Sequence, residues 1–289
     1  MKTEVKKVDS TRREINIEVS GEIIKNKFED VFKKIQQEAK ISGFRPGHAP
    51  RDIIEKKYSS VLHEQVLKEL IPEIYTKAVE KESLDVIDMP NISDVKLDRE
   101  KLVFKAEVEV TPEIEIKDYK GIKLDYKKVE VTADDIKRSI DSLKESRKAE
   151  AVDDSFAKGL GYPDLATLEK VLEMQIYIQK YNQNHKALED KIIEEITKDL
   201  EFKVPESLVT RQLNEMVRQA KLDMALKGVH VDKANEQDKS LVQELSPVAK
   251  KQVKVYLVLS RIAKNENIPL DDNMAQKVIE LLFKLANWG

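Results

Sequence analysis

The sequence predicts an α+β N-terminal part, an antiparallel sheet carrying two long helices, followed by an elongated all-α C-terminal part. Three observations predict it. Apolar residues alternate at Ile15, Ile17 and Val19, and again at Leu102, Phe104, Ala106, Val108 and Val110, which is the period-two mark of half-buried strands. Two long stretches of helical period lie between these strands. Beyond Pro163 the chain keeps helical spacing almost without interruption.

Taken in order, residues 2–8 are a strand candidate, and Asp9-Ser10 supplies a hairpin turn before the strand that holds Ile15. Ser20 offers an N-cap. Ile24, Phe28, Val31 and Ile35 then mark a helix running to about residue 42, with Gly43 suited to the left-handed position past its end. A second helix begins near Pro50 and carries Ile54, Tyr58, Val61, Leu62, Leu67, Leu70 and Ile74 to about residue 81, and Pro72 predicts a kink in it. Residues 84–87 read as a short strand before the longer one at 102–110. The order β-β-α-α-β-β is that of a sheet with both helices on one face. Ile122 and Leu124 suggest a short extended piece. Thr132 with Asp135 reads as a capping box, opening a helix through Ile136, Ile140 and Leu143.

A helix is expected from 164 to about 200, apolar at both ends. Its middle is mostly polar apart from Tyr177 and Tyr181, followed by His185, each four residues after the last, as in a helix that projects past its core. Pro205 fits the first turn of a helix striped by Val209, Leu213, Met216, Val217, Ala220 and Met224 and ending at Gly228. A polar loop over 229–239 leads to a helix with Leu245, Ala249, Tyr256, Leu259 and Ile262, where Pro247 is either a kink or the true start. A last helix spans 271–288. The predicted boundaries are 1–112, a linker over 113–150, and 151–289.

Composition narrows the function. Charged residues make up 36% and aromatics 6%, with a mean hydropathy of −0.51, so the chain is rich in surface and modest in core. A net charge of −3 supplies no global basic field for nucleic acid. Without cysteine there are no disulfides, thiol nucleophiles or thiolate metal sites. The N-terminus lacks a signal-type apolar run, and no stretch approaches a membrane span, so a soluble cytoplasmic protein is expected.

Enzyme signals fail one by one. His63-Glu64 opens like a zinc-protease helix, but Leu67 stands where the second histidine belongs. Gly159-Leu160-Gly161 lacks the third glycine of a dinucleotide loop, Asp164 holding its place, and neither a phosphate-binding loop nor a nucleophile elbow occurs. The expectation is a non-enzyme with no cofactor and no metal.

The segment Gly43-Phe44-Arg45-Pro46-Gly47-His48-Ala49-Pro50 stands out between the two long helices. Residues 33–57 hold the cations Lys33, Lys34, Lys40, Arg45, Arg51, Lys56 and Lys57 against the acids Glu38, Asp52 and Glu55, a net of +4 in an acidic chain. Two arrangements fit. In one, Phe44 tucks under the helices and Arg45 is merely solvated. In the other, both side chains are presented outward as a docking tip suited to phosphate and a protein pocket. Tyr177, Tyr181, Met216, Met224, Met274, Leu226 and Trp288 form a second set, read either as ordinary helix packing or as an adaptable apolar surface.

Gly43-Phe44-Arg45-x-Gly47-x-x-Pro50, set in a β-β-α-α-β-β domain, resembles the ribosome-docking loop of the trigger factor family of bacterial chaperones. Thr111-Pro112-Glu113-Ile114-Glu115 with Tyr119-Lys120-Gly121-Ile122 resembles that family's exit from its ribosome-binding domain. The stretch from Asp154 through Gly161, with Leu165 and Leu168, resembles the start of its helical domain, and Phe202-x-Val204-Pro205-Glu206-Ser207 resembles a later turn. The resemblance implies docking at the exit tunnel, on ribosomal protein and rRNA, through Gly43, Phe44, Arg45, Pro46 and Gly47, supported by Lys40, Arg51, Lys56 and Lys57. It implies ATP-independent holding of nascent or unfolded polypeptides, with Tyr177, Tyr181, Met216, Met224, Leu226 and Trp288 as client contacts, weak self-association off the ribosome, and no membrane partner. Two departures are expected: the family's prolyl isomerase domain has no room between 143 and 153, and the chain stops at Gly289 where the family usually continues. A prolyl isomerase, or a ribosome- or RNA-binding factor without clients, are the alternatives.

Overall fold

The computed structural model of the chain describes residues 1–42, 44–45, 47–116, 119–227 and 234–289, with the backbone alone over 234–238. The elements are β1 (Lys2–Lys7), β2 (Arg12–Ser20), α1 (Glu22–Glu38), α2 (Arg51–Lys81), β3 (Asn91–Leu97), β4 (Lys101–Glu109), β5 (Lys123–Leu124), α3 (Ala133–Arg147), α4 (Asp154–Gly159), α5 (Leu165–Thr197), α6 (Glu206–Leu226), α7 (Ala234–Asn265), α8 (Met274–Leu285) and β6 (Asn287–Trp288). They fall into two compact units. Met1–Ile114 and Glu201–Val253 form the first, and Glu115–Leu200 with Lys254–Gly289 the second. The C-terminal helices are therefore shared between the units, α6 belonging with the sheet.

In the first unit an antiparallel sheet has the order β1-β2-β4-β3. The β1–β2 turn is made by Asp9, whose Oδ1 accepts from the backbone N–H groups of Thr11 at 2.8 Å and Arg12 at 2.9 Å. Strict alternation turns Ile15, Ile17 and Val19 of β2 to one face, beside Leu102, Phe104, Ala106 and Val108 of β4. Ile17 lies opposite Phe104, and neither exposes any surface. α1 lays Ile24, Phe28, Val31 and Phe32 on this face, and α2 adds Leu62, Val66, Leu70, Ile74 and Ala78. Each large side chain so buried contributes about 1.5–3 kcal/mol.

Residues 84–87 hold a single bridge, Val86 to Val110, and the fourth strand is β3 at Asn91–Leu97. A register shift between Ser93 and Lys96, with Asp94 at φ 53°, breaks the alternation that would have announced it. Ser20 still belongs to β2, paired with Lys101, so the cap of α1 is Gly21, at φ 98°. α1 stops at Glu38 because Ala39 turns extended and Ile41 returns to the core. The break in α2 is at Tyr58 (φ −113°, ψ 20°), while the backbone stays helical through Pro72. Pro72 and Lys68, whose carbonyl loses its partner, are both on the exposed side, where water can satisfy that carbonyl. The inward stripe of α2 uses Val66, whereas Val61 is exposed.

α6 has no fully buried residue. Pro205 is its N-cap rather than its first-turn residue. The Glu109 carboxylate accepts from the N–H groups of Glu206 at 3.3 Å and Ser207 at 2.9 Å, placing a negative charge at the positive end of the helix. Lys203 reaches Asp9 at 2.7 Å, which holds the Asp9 carboxyl well below its ordinary range, helped by the Thr11 N–H. The predicted end of α6 at Gly228, and residues 229–233 of the predicted loop, lie outside the described residues; α7 has begun by Ala234 and runs through Pro247.

In the second unit, Thr132 and Asp135 form the reciprocal capping box of α3. Asp135 also holds Lys180 at 2.5 Å, and that bond, then the Thr132 N–H, depresses its carboxyl strongly. Ile140 of α3, Ala157 of α4, and Leu168 and Leu172 of α5 share one core. Asp164 caps α5 by accepting from Thr167 N–H at 2.7 Å. Leu188, Ile192 and Ile196 are buried toward its other end, and α8 packs on α5. The last helix is shorter than predicted: Ala286 turns extended, and Asn287–Trp288 pairs in parallel with Lys123–Leu124.

Candidate functional site

The α1–α2 loop is pinned at both roots and open at its tip. Ala39, Ile41 and Ala49 are buried. Gln36 donates to the Ala49 carbonyl at 3.4 Å, and the Tyr58 hydroxyl donates to that of Lys40 at 3.4 Å. Within the loop, Phe44 N–H bonds to Ile41 O at 3.1 Å and His48 N–H to Arg45 O at 3.0 Å, while Gly47 takes φ 83°, which a side chain would resist. Phe44 is 40% exposed and Arg45 is exposed. Both side chains therefore reach solvent, Phe44 with the larger part of its surface still covered. Gly43 and Pro46 lie outside the described residues.

The cations around the tip divide into two groups. Arg51 is committed internally: its guanidinium meets Glu29 at 3.0 Å and Glu55 at 2.7 Å and lies over the Phe32 ring. Glu29 and then Glu55 push its pKa up, and Arg51 followed by Arg99 pulls Glu55 down. Lys34 pairs with Glu69 at 2.9 Å. Lys33, Lys40, Arg45 and Lys56 are exposed and form no ion pair among the described residues, and Lys57 Nζ lies 5.8 Å from the Tyr58 ring centre. These five cations are exposed in the segment that flanks the loop, as are the acids Glu38 and Asp52.

The second candidate set is only partly brought together. Tyr177 stacks on Tyr181 at 6.3 Å, Tyr181 approaches His185 at 6.2 Å, His185 meets Phe283 at 5.1 Å, and Phe283 stacks on Trp288 at 5.9 Å. Tyr126 closes the series edge-on to Trp288 at 6.2 Å. A cleft of about 440 Å³ is lined by Tyr126, Tyr181, His185, Leu188, Phe283 and Trp288, with Glu280 and Lys284 also contributing. Met216, Met224 and Leu226 belong to α6 in the other unit, with Leu226 87% exposed. Met274 is a core residue, 3% exposed. Tyr126 and Phe283 were missed. The only sequence signals for them were the alternation of Tyr126 with Leu124 and the i, i+3, i+4 spacing of Glu280, Phe283 and Lys284 on one helix face.

His63 is held by its own helix, Nδ1 lying 2.8 Å from the Ser59 carbonyl, and its ring is edge-on to Phe28. Among the described residues, no group of three His, Asp or Glu side chains could hold a metal ion, and no helix is long and apolar enough to cross a membrane.

Comparison with known proteins identifies the family. Residues 1–143 match the family model described as bacterial trigger factor protein, and residues 164–287 match that of the trigger factor C-terminus. The chain belongs to the trigger factor family. It is 32% identical over 256 residues to the trigger factor of Solibacter usitatus, an alignment covering 82% of this chain and 59% of that relative. It is 24% identical to the trigger factor of Halothermothrix orenii over 386 positions, covering 97% of this chain and 90% of the relative. That alignment is longer than this chain, so the relative carries stretches the chain does not. A solved trigger factor chaperone structure, from work on promiscuous substrate recognition in its folding and assembly activities, superposes with a TM-score of 0.55 at 16% identity, covering 98% of this chain and 90% of that one. This likeness concerns the fold.

The two trigger factor matches leave residues 144–163 between them. Those residues hold the end of α3 and the short α4. The family's middle isomerase region has no place there.

Proposed function

We propose that this chain is an ATP-independent chaperone that docks at the ribosomal exit tunnel and holds nascent or unfolded polypeptides. One observation carries the docking half: Phe44 and Arg45 are exposed on a loop whose roots are buried, in a segment with exposed cations that form no ion pair among the described residues. An aromatic wedge and a planar guanidinium suit a protein pocket beside phosphate, and each phosphate contact makes binding salt-dependent. On this reading residues 1–112 dock, 113–150 link, and 151–289 carry clients. Lys40, Lys56 and Lys57 support the tip, whereas Arg51 acts mainly by holding the loop root.

Holding rests on the aromatic cleft of the second unit and on the exposed apolar residues of α6. Many weak contacts of this kind lower the free concentration of unfolded chain and release it readily. Ribosome pelleting of wild type against Phe44→Ala/Arg45→Ala tests docking. Suppression of the aggregation of a chemically unfolded test protein, without nucleotide, tests holding. A chain that pellets with ribosomes and leaves aggregation unchanged is the client-free ribosome factor instead. Turnover of a prolyl peptide would restore the isomerase reading.

A further inference from the structure

Resting on the client-holding reading, we propose that Asn287–Gly289 is a displaceable internal ligand: it occupies the β5 edge and one wall of the aromatic cleft, and an extended client segment bearing an aromatic side chain competes for the same place.

The chain leaves α8 at Ala286 and runs alongside residues 121–125. Asn287 N–H bonds to Ile122 O at 2.9 Å, Gly289 N–H to Leu124 O at 3.0 Å, and Gly121 N–H to Leu285 O at 2.9 Å. The approach is close: a Cβ on Gly121 would stand 3.2 Å from the Asn287 side-chain nitrogen. Trp288 then lays its ring between Phe283 and Tyr126, with its indole N–H donating to the Phe283 carbonyl at 3.2 Å. This is recognition of an extended segment by strand addition, with main-chain bonds for hold and an aromatic pocket for selection.

Two features make the segment displaceable. A pair of two-residue strands is far below the size that is stable by itself. Trp288 remains 48% exposed in its stack, so it forgoes much of the burial open to a large aromatic. The cleft beside it, about 440 Å³, lies within the ~300–1,000 Å³ of ordinary ligand sites. β5 is held from its other side by bonds that do not involve residues 287–289: Lys191 of α5 reaches Asp125 at 3.1 Å, and Asn184 donates to the Lys127 carbonyl at 3.0 Å. An incoming strand therefore finds a preformed edge once the internal one leaves.

Trp288 is the only tryptophan in the chain, so its emission reports on the cleft directly. The probe is the tryptophan-free peptide Lys-Thr-Phe-Thr-Phe-Lys, with a fluorescein-labelled form for anisotropy and a form with both phenylalanines replaced by alanine as control. Asn287→Pro removes the donor to Ile122 without conflict at Ala286, whose ψ of 149° is the conformation favoured before proline. We expect the peptide to shift Trp288 emission saturably to the red, and Asn287→Pro to bind it roughly fivefold more tightly, about what one net main-chain hydrogen bond is worth. Trp288→Ala should also bind more tightly, and the alanine control should bind neither form. Equal affinity of wild type and both variants, or unchanged emission at peptide saturation, overturns the proposal. If wild type still suppresses aggregation in that case, only the internal-ligand proposal fails; if it neither binds peptide nor suppresses aggregation, the holding reading fails with it.

Discussion

The guanidinium carbon of Arg51 lies 4.7 Å from the centre of the Phe32 ring. The same guanidinium is held by Glu29 and Glu55. This ties the first turn of α2 to the face of α1 at the base of the α1–α2 loop, and it separates two arginines that look alike in sequence. Arg51→Ala should destabilise the chain by about 1 kcal/mol, the scale of an exposed cation–π contact with modest ion pairs. Arg45→Ala should change stability by less than about 0.5 kcal/mol, as an unpartnered surface substitution does. Urea unfolding of the two variants checks the contrast.

The sheet core is continuous, so its loss should be severe. Phe104 has no exposed surface and faces Ile17 across β2 and β4. Phe104→Ala is expected to cost about 3–5 kcal/mol, read as a lowered midpoint with little change in slope.

Capping decides the start of two helices. Thr132→Ala removes one arm of the α3 box and should cost about 1 kcal/mol. Glu109→Ala strips the first-turn N–H groups of α6 of their acceptor. Amide exchange at Glu206 and Ser207 should then accelerate, while amides of β2 stay protected.

Acid should weaken the fold in a defined direction. Asp9 and Asp135 are both held below the ordinary aspartate value of 3.8, chiefly by Lys203 and Lys180 respectively. A carboxyl that resists protonation when folded stabilises the fold above that value. The contribution is lost as pH falls below it, because the unfolded chain takes up the proton first. Stability measured by denaturant should be flat from pH 7 to about 5 and decline below about 4. Asp135→Asn should show a shallower decline than wild type.

Much of this was legible in the sequence, and the exceptions share a cause. Strands β2 and β4 were plain because one face is buried and the other wet, so alternation survives. The capping box at Thr132 and Asp135 was plain because it is local. β3 was missed because its bulge breaks the alternation. The pairing of Asn287–Trp288 with Lys123–Leu124 joins segments remote in the chain through main-chain atoms that carry no residue signature. The α1–α2 loop was visible from its glycines, prolines and charge, but the commitment of Arg51 to Glu29 depends on how α1 and α2 pack. The aromatic cleft was half visible: Tyr177, Tyr181 and His185 share a helix face, while Tyr126, Phe283 and Trp288 join them only in the folded chain.

Cosedimentation with ribosomes tests the central claim most directly. Wild type and Phe44→Ala/Arg45→Ala would be pelleted through sucrose at low and moderate salt after confirming equal thermal melts. Wild type is expected to pellet with ribosomes, less so as salt rises, and the double variant to stay in the supernatant. A double variant that pellets as well as wild type would contradict that claim.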